Sequence, residues 1–137
     1  MKKILHIVRG LPGSGKSTKS RELANAVNFS SECEADDYFI TSRGYEFNPK
    51  ELPEAHAWCK ERAKNAMATD VPVVIVSNTS SQLWEFQPYL DMAKKYGYTV
   101  KVNDIFDGGK TDEELAKRNV HKVPLEVIKK MRARWEK

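Results

Sequence analysis

The chain has 137 residues, a formal net charge of +4, 40% hydrophobic residues and 31% charged residues. This length suits one domain with a single core, so we expect residues 1–137 to form one domain. No apolar run approaches the ~20 residues that a membrane-spanning helix needs. The two cysteines are too few for a disulfide framework or a zinc site, which favours a reducing, cytoplasmic location.

Short apolar runs alternate with longer helical patterns along the chain. Strands are predicted at residues 4–9, 31–35, 73–77 and 98–106. Helices are predicted at residues 16–28, 53–68, 82–96, 112–119 and 124–135. The third strand is continuously apolar, as expected when helices cover both faces of a parallel sheet. The sequence therefore predicts a single α/β domain.

The first predicted strand leads directly into a phosphate-binding loop. Residues 10–17 read Gly-Leu-Pro-Gly-Ser-Gly-Lys-Ser, a full match to G-x-x-x-x-G-K-[ST]. The glycines bring backbone N–H groups close to phosphate oxygens at the positive end of the next helix. We expect Lys16 to reach the β- and γ-phosphates and the Ser17 hydroxyl to ligate Mg²⁺. The residues assigned to the nucleotide are Gly10, Pro12, Gly13, Ser14, Gly15, Lys16, Ser17 and Thr18.

Motor and GTPase signatures are missing from the sequence. A Walker-B strand would end in an aspartate, but Asn78 stands at that place in the third strand, and no N-K-x-D motif occurs. Once motors and GTPases are excluded, a compact phosphotransferase is the class of P-loop protein that remains. Such an enzyme needs a carboxylate to orient the acceptor hydroxyl and take its proton. Asp36 and Asp37 follow the second strand, where ligands gather in open α/β sheets. We predict Asp36 as the general base and Asp37 as a structural support, although paired acids could equally cap the next helix.

A basic segment of about residues 111–124 is predicted to form a lid. It carries Lys117, Arg118, His121 and Lys122, any one of which could simply be a solvated surface residue. Small kinases place a lid arginine against the transferring phosphoryl group, which favours Arg118 as a catalytic residue. Residues 110–137 hold nine Lys or Arg against five acids. This excess suits a polyanionic partner, but it is also typical of a solvated helical tail.

Together the motifs resemble one family. The phosphate loop, then A-D-D-Y-F, V-S-N-T, P-Y-L-D-M-A-K-K-Y-G-Y-T-V-K-V and K-R-N-V-H-K-V-P, resemble the 5′-hydroxyl polynucleotide kinase branch of the P-loop kinases over nearly the whole chain. The resemblance implies a four-stranded parallel sheet in the order 2-3-1-4. It also implies ATP with Mg²⁺ as donor and a single-stranded or end-accessible RNA or DNA as acceptor. Lys16 and Ser17 would serve the donor, Asp36 would be the base, and Arg118 would be the lid arginine.

Two positions depart from the family pattern. After D-D-Y the phage members have an arginine that helps to hold the acceptor, and in the third-strand motif they have an aspartate. This chain has Phe39 and Asn78 there. With Asp36, these two residues are the predicted acceptor-binding residues. Phe39 would either stack on the acceptor base or face the core.

The sequence leaves other interpretations of the function open. The chain could be a small-molecule kinase for a nucleoside, nucleotide sugar or antibiotic, or a nucleotide-gated nucleic-acid-binding module without transfer. The aromatic segment 43–52 could stack an acceptor base or cover the sheet edge. Trp84, Phe86 and Tyr89 follow helical spacing and are predicted to lie in the core rather than to form a platform for a base. The choices of RNA or DNA and ATP or GTP, and the oligomeric state, are not determined.

Overall fold

The computed structural model describes residues 2–119 and 121–137. In these ranges the strands are β1 (Ile4–Gly10), β2 (Ser30–Cys33), β3 (Ile40–Thr41), β4 (Gly44–Tyr45), β5 (Val73–Asn78) and β6 (Thr99–Phe106). The α-helices are α1 (Lys16–Asn25), α2 (Leu52–Ala68), α3 (Gln87–Tyr96), α4 (Asp112–Arg118) and α5 (Leu125–Ala133). Short 3₁₀ turns cover Ala35–Phe39, Pro49–Glu51 and Leu83–Glu85. None of the helices in these ranges has the length and apolar character needed to cross a membrane.

The main sheet is parallel and four-stranded, in the order β2-β5-β1-β6. β1 lies in its centre and pairs with β5 from Ile4↔Val73 and with β6 from Ile4↔Thr99. Counting only these four strands along the chain, the order is 2-3-1-4, which confirms the prediction. β1 and β5 are almost entirely buried, whereas the edge strand β6 is largely exposed, because only central strands have neighbours on both sides.

Helices cover both faces of this sheet. On one face α2 and α3 pack against alternate strand residues, while α1 packs on the opposite face. A third apolar cluster joins the phosphate loop to the last two helices, through Leu11, Leu115 and Ile128. The first face holds Leu5, Ile7, Val74, Val76, Ala55, Cys59, Ala63, Tyr89 and Ala93. The predicted α/β fold with helices on both faces is confirmed.

Several boundaries differ from the predictions, and the largest differences lie near the cleft. The helix predicted from residue 82 begins at Gln87, because Pro88 has no N–H to donate and suits a first helical turn. The strand predicted to residue 35 ends at Cys33, since the chain turns into a 3₁₀ helix at Ala35. The small antiparallel hairpin β3–β4 was not predicted. Gly44, the first residue of β4, follows the turn at φ 106, a left-handed conformation that glycine adopts readily.

Candidate functional site

The phosphate loop connects β1 to α1 and holds two of its glycines in left-handed conformations. Gly13 has φ 82 and Gly15 has φ 108, and Gly15 caps α1 with no side-chain hydrogen bond. The first N–H groups of α1 are thus available to an anion. Lys16 Nζ donates to Leu11 O at 3.3 Å, which folds its side chain back over the loop. Burial lowers the pKa of Lys16, against the opposing effect of the Glu34 and Asp36 carboxylates.

Ser17, in the first turn of α1, fits the predicted role in Mg²⁺ binding. Its side chain is exposed and lines the same cleft as Lys16. Mg²⁺ prefers oxygen ligands, and in nucleotide sites it uses one or two protein oxygens together with phosphates and waters. A single hydroxyl beside the phosphate-loop lysine therefore matches the donor set that this ion takes.

The turn after β2 holds Asp36 at the carboxyl edge of the sheet. Ala35 N donates to Asn78 Oδ1 at 2.9 Å, and Asn78 Nδ2 donates to Cys59 Sγ at 3.7 Å. Asn78 therefore ties the start of this turn to β5 and α2. The Tyr45 hydroxyl donates to Asp36 Oδ1 at 3.3 Å and restrains the carboxylate from the β3–β4 hairpin. Sequence reasoning did not single out this contact of Tyr45, since a two-residue strand leaves almost no periodic pattern.

His121, in the lid, reaches across the cleft to the carboxylates after β2. Its Nε2 lies 3.8 Å from Glu34 Oε1 and 3.6 Å from Asp36 Oδ2, and its ring centroid is 4.5 Å from that of Tyr45. The Glu34 carboxylate, followed by Asp36, raises the pKa of His121 against the opposing effect of partial burial. His121 was predicted only as one of four lid cations. Glu34 was missed, because the strand was predicted to continue to residue 35, whereas the chain turns after Cys33 and brings Glu34 and Asp36 to the same His121.

Arg118 ends α4 and contacts the phosphate loop directly. Its Nε donates to Gly13 O at 3.2 Å, and its side chain is exposed. α4 approaches so closely that a Cβ on Gly13 would lie 2.5 Å from Leu115 O. Thr111 and Glu114 form a capping box that begins this helix. The lid arginine is thus held within a few ångströms of the backbone that is predicted to bind phosphate.

Lys16, Asp36 and Arg118 line one cleft of about 1050 Å³. The phosphate loop forms one wall, and the turn after β2, the hairpin and α2 form another. The cationic residues lining this cleft are Lys16, Lys60, Arg118, Lys122 and Arg134. Its acidic residues are Glu34, Asp36 and Glu85. The fold therefore brings together the three predicted catalytic residues, which are far apart in sequence.

Phe39 does not lie in this cleft, so its predicted role in acceptor binding is wrong. It is 2% exposed and belongs to the core between the sheet and α2. Its ring makes edge contacts with Tyr38 and Phe47, at centroid distances of 5.4 and 5.1 Å. The 3₁₀ turn places Asp36 in the cleft wall and turns Phe39 inward. Asn78 does line the cleft, although its hydrogen bonds go to the protein.

Of the three aromatic residues around the start of α3, two lie in the core as predicted and one does not. Phe86 and Tyr89 are 3% and 2% exposed and lie in the core, as expected. Trp84 is 70% exposed at the rim of the cleft, so its predicted core position is wrong. It lies in a 3₁₀ turn rather than in the helix, and helical spacing therefore does not describe its direction.

Arg9 is a buried residue of the site region that sequence reasoning missed. At 1% exposure, its Nε donates to Ser80 O at 3.0 Å and one Nη to Ser81 O at 3.2 Å. The guanidinium lies 4.3 Å from the Trp135 ring centroid and 3.5 Å from Asp104 Oδ2. Arg9 thus joins the loop after β5 to the end of the chain. An arginine in an otherwise apolar strand was the available signal.

This fold and site define a P-loop nucleotide-binding domain of the kinase-like type. The family model AAA_33, described as an AAA domain, matches residues 5–137, and the chain belongs to that family.

Two curated relatives match almost the whole chain but extend far beyond it. Human NEDD4-binding protein 2 is 37% identical over 135 residues, which are 98% of this chain and 8% of that protein. The 2′,3′-cyclic-nucleotide 3′-phosphodiesterase of Pongo abelii is 28% identical over 141 residues, 98% of this chain and 32% of that protein. The chain therefore spans only a minor part of each of these relatives.

Solved structures share the fold at low sequence identity. The structure of the Pnkp1/Rnl/Hen1 RNA repair complex superposes with a TM-score of 0.74 at 21% identity, covering 97% of this chain and 44% of that one. A gluconokinase from Sinorhizobium meliloti 1021 gives 0.63 at 18% identity, covering 98% and 75%. Identities this low establish the common fold and leave the acceptor unassigned.

Proposed function

We propose that this domain is an ATP-dependent kinase that transfers the γ-phosphate to the 5′-hydroxyl of a polynucleotide. The observation that carries the proposal is the position of Asp36 in the same cleft as the phosphate-loop Lys16 and the lid Arg118. A carboxylate restrained by the Tyr45 hydroxyl, at the carboxyl edge of a parallel sheet, suits a group that must orient an acceptor.

The transfer step follows from these positions. The N–H groups of the phosphate loop and Lys16 hold the donor phosphates. Bound Mg²⁺, held by Ser17, would neutralise charge on the β- and γ-phosphates. The oxygen of the acceptor hydroxyl forms a bond to the γ-phosphorus, and Asp36 accepts the proton of this hydroxyl. The bond between the γ-phosphorus and the bridging oxygen breaks, and that oxygen leaves with ADP. Arg118, which contacts Gly13 O, can exchange this carbonyl for a phosphoryl oxygen and stabilise the developing charge.

Further charges in the cleft favour a polyanionic acceptor. Besides Lys16 and Arg118, three more cations line it, namely Lys60, Lys122 and Arg134. A small neutral acceptor would gain little from three cations, but a nucleic acid carries a phosphate at each nucleotide. The resemblance of the motifs to 5′-hydroxyl polynucleotide kinases and the fold shared with a chain of an RNA repair complex support the same acceptor.

The test is transfer from γ-labelled ATP to a panel of acceptors. We expect label on 5′-hydroxyl RNA or DNA oligonucleotides and none on the same oligonucleotides with a 5′-phosphate. Lys16→Ala should lose ATP affinity and transfer together. Asp36→Asn should retain ATP binding but lose transfer by a factor of about 10²–10⁴, the contribution typical of a general base.

Asp37→Asn is the matched control, because Asp37 is the adjacent acid of the same turn and does not line the cleft. It should retain most of the transfer activity. Equal losses in the Asp36 and Asp37 variants would refute the assignment of the base. Label appearing only on nucleosides or sugars would refute the polynucleotide acceptor and leave a small-molecule kinase.

A further inference from the structure

Trp84 presents uncovered aromatic faces at the rim of the cleft. It is 70% exposed, and its Nε1 donates to Gln82 Oε1 at 2.8 Å. The one polar atom of the indole is therefore satisfied, and its faces are left to solvent. An exposed indole forgoes the stabilisation that burial of a large apolar side chain provides. At the rim of the cleft these faces are accessible to a planar ligand, and aromatic side chains stack readily on nucleic-acid bases.

The backbone that carries Trp84 is held on several sides. Leu83 N donates to Glu136 Oε1 at 2.6 Å, and Glu136 N donates to Ser81 O at 2.7 Å. The buried Arg9 donates to the carbonyls of Ser80 and Ser81. The platform is thus ordered before any ligand arrives, which reduces the entropy lost on binding.

Arg134 places a cation beside this platform. Its Nε donates to Ser81 Oγ at 2.8 Å, and Ser81 Oγ in turn donates to Glu85 Oε1 at 3.1 Å. One guanidinium edge is thereby fixed to the loop that carries Trp84, while the exposed side chain lines the cleft. A flat aromatic face beside a fixed guanidinium matches a nucleotide, with its base and its phosphate.

The platform and Asp36 line the same cleft, together with His56 on α2. A chain whose 5′ end reaches Asp36 can therefore extend within this cleft toward Trp84.

We propose that Trp84 and Arg134 form a subsite for an unpaired nucleotide 3′ of the 5′-terminal one, with its base stacked on the indole and a backbone phosphate bound by the guanidinium. The orientation of the strand rests on the proposed kinase function. Stacking on the exposed face requires an unpaired base, so the substrate class is a single-stranded polynucleotide or a single-stranded overhang.

The first experiment measures binding without ATP, so its result does not depend on transfer. Fluorescein-labelled single-stranded hexamers of RNA and DNA, and a blunt duplex, are titrated by anisotropy. Stacking is worth about 1–3 kcal/mol per base, so Trp84→Ala should weaken binding of single strands by roughly ten- to hundredfold. Trp84→Phe keeps an aromatic face and should recover most of this loss. Arg134→Gln should lower the log–log salt slope by about 0.7, the value for one phosphate contact on a single strand.

Phe29→Ala is the matched control. Phe29 is 72% exposed but lies just before β2, at the amino ends of the strands, whereas the cleft lies at their carboxyl ends. It should bind like the unmodified protein. Equal affinities of Trp84→Ala and the unmodified protein would overturn the proposal, as would a blunt duplex that binds as tightly as a single strand. Binding that depends on Trp84 without any phosphate transfer would support the subsite and refute the kinase function.

A second experiment tests the subsite during transfer. The kcat/KM for a 5′-hydroxyl dinucleotide or hexamer is compared with that for a nucleoside 3′-monophosphate, which has no second base. We expect kcat/KM to be about tenfold or more higher for the longer acceptors, because their KM is lower. In Trp84→Ala this difference between long and short acceptors should disappear. A length gain that persists in Trp84→Ala would overturn the assignment of the stacking residue.

Discussion

Replacing Gly13 by alanine tests the contact between the lid and the phosphate loop. Gly13 has φ 82, and its missing side chain leaves room for α4: a Cβ would lie 2.5 Å from Leu115 O and 3.2 Å from Asn119 N. Both neighbours are backbone atoms, so neither can move without moving the helix. The matched control is Gly97→Ala, since Gly97 has φ 76 but its Cβ would meet nothing within 4 Å.

The expected cost of each substitution follows from this geometry. A left-handed conformation costs an L-residue about 1–2 kcal/mol, and this applies to both variants. In Gly13→Ala, the loop and α4 must also separate by several tenths of an ångström or more. Overpacking of this kind costs about 1–3 kcal/mol further. We therefore expect the free energy of unfolding to fall by about 2–5 kcal/mol in Gly13→Ala and by about 1–2 kcal/mol in Gly97→Ala.

Urea unfolding measures these losses, and limited trypsin digestion reports on the lid. Lys117 and Arg118 lie at the end of α4, and Arg118 Nε donates to Gly13 O at 3.2 Å. Gly13→Ala should therefore be cleaved faster after these residues, whereas Gly97→Ala should be cleaved like the unmodified protein. Equal losses of stability, together with equal cleavage rates, would refute the contact between Gly13 and α4.

Two further substitutions test the lid and the core. The pKa of His121 is raised in the folded state, so its stabilisation is fully present below the unfolded pKa of about 6.5 and is lost as pH rises through the folded value. The melting temperature of the unmodified protein minus that of His121→Gln should therefore be larger near pH 6 than near pH 9, and a constant difference would contradict this. Phe39→Ala should lose about 3–5 kcal/mol in urea unfolding, because Phe39 is 2% exposed, while ATP binding persists. Phe47→Ala is its control, since Phe47 is 48% exposed, and an equal loss there would argue against a core role for Phe39.

Much of the fold could be predicted because its signals are local. The continuous apolar run of β5, the glycine loop after β1 and the helical patterns each lie within a few residues of sequence. The sheet order 2-3-1-4 came from the resemblance to a family, and it is the order that the structure has. Helix boundaries were less accurate where 3₁₀ turns intervene, as at residues 83–85.

The sequence by itself determined the phosphate loop, because this loop is built from consecutive residues of one motif. Lys16 and Ser17 need only the loop and the helix that follow β1. The cleft wall around Asp36, where we propose that the acceptor binds, was decided by the tertiary structure. Asp36, Tyr45 and His121 come from three separate segments, and only the packing of the lid and the hairpin brings them within 5 Å of one another. The direction of Phe39 into the core and of Trp84 toward solvent likewise depends on tertiary packing, since a side chain in a short 3₁₀ turn follows no amphipathic period.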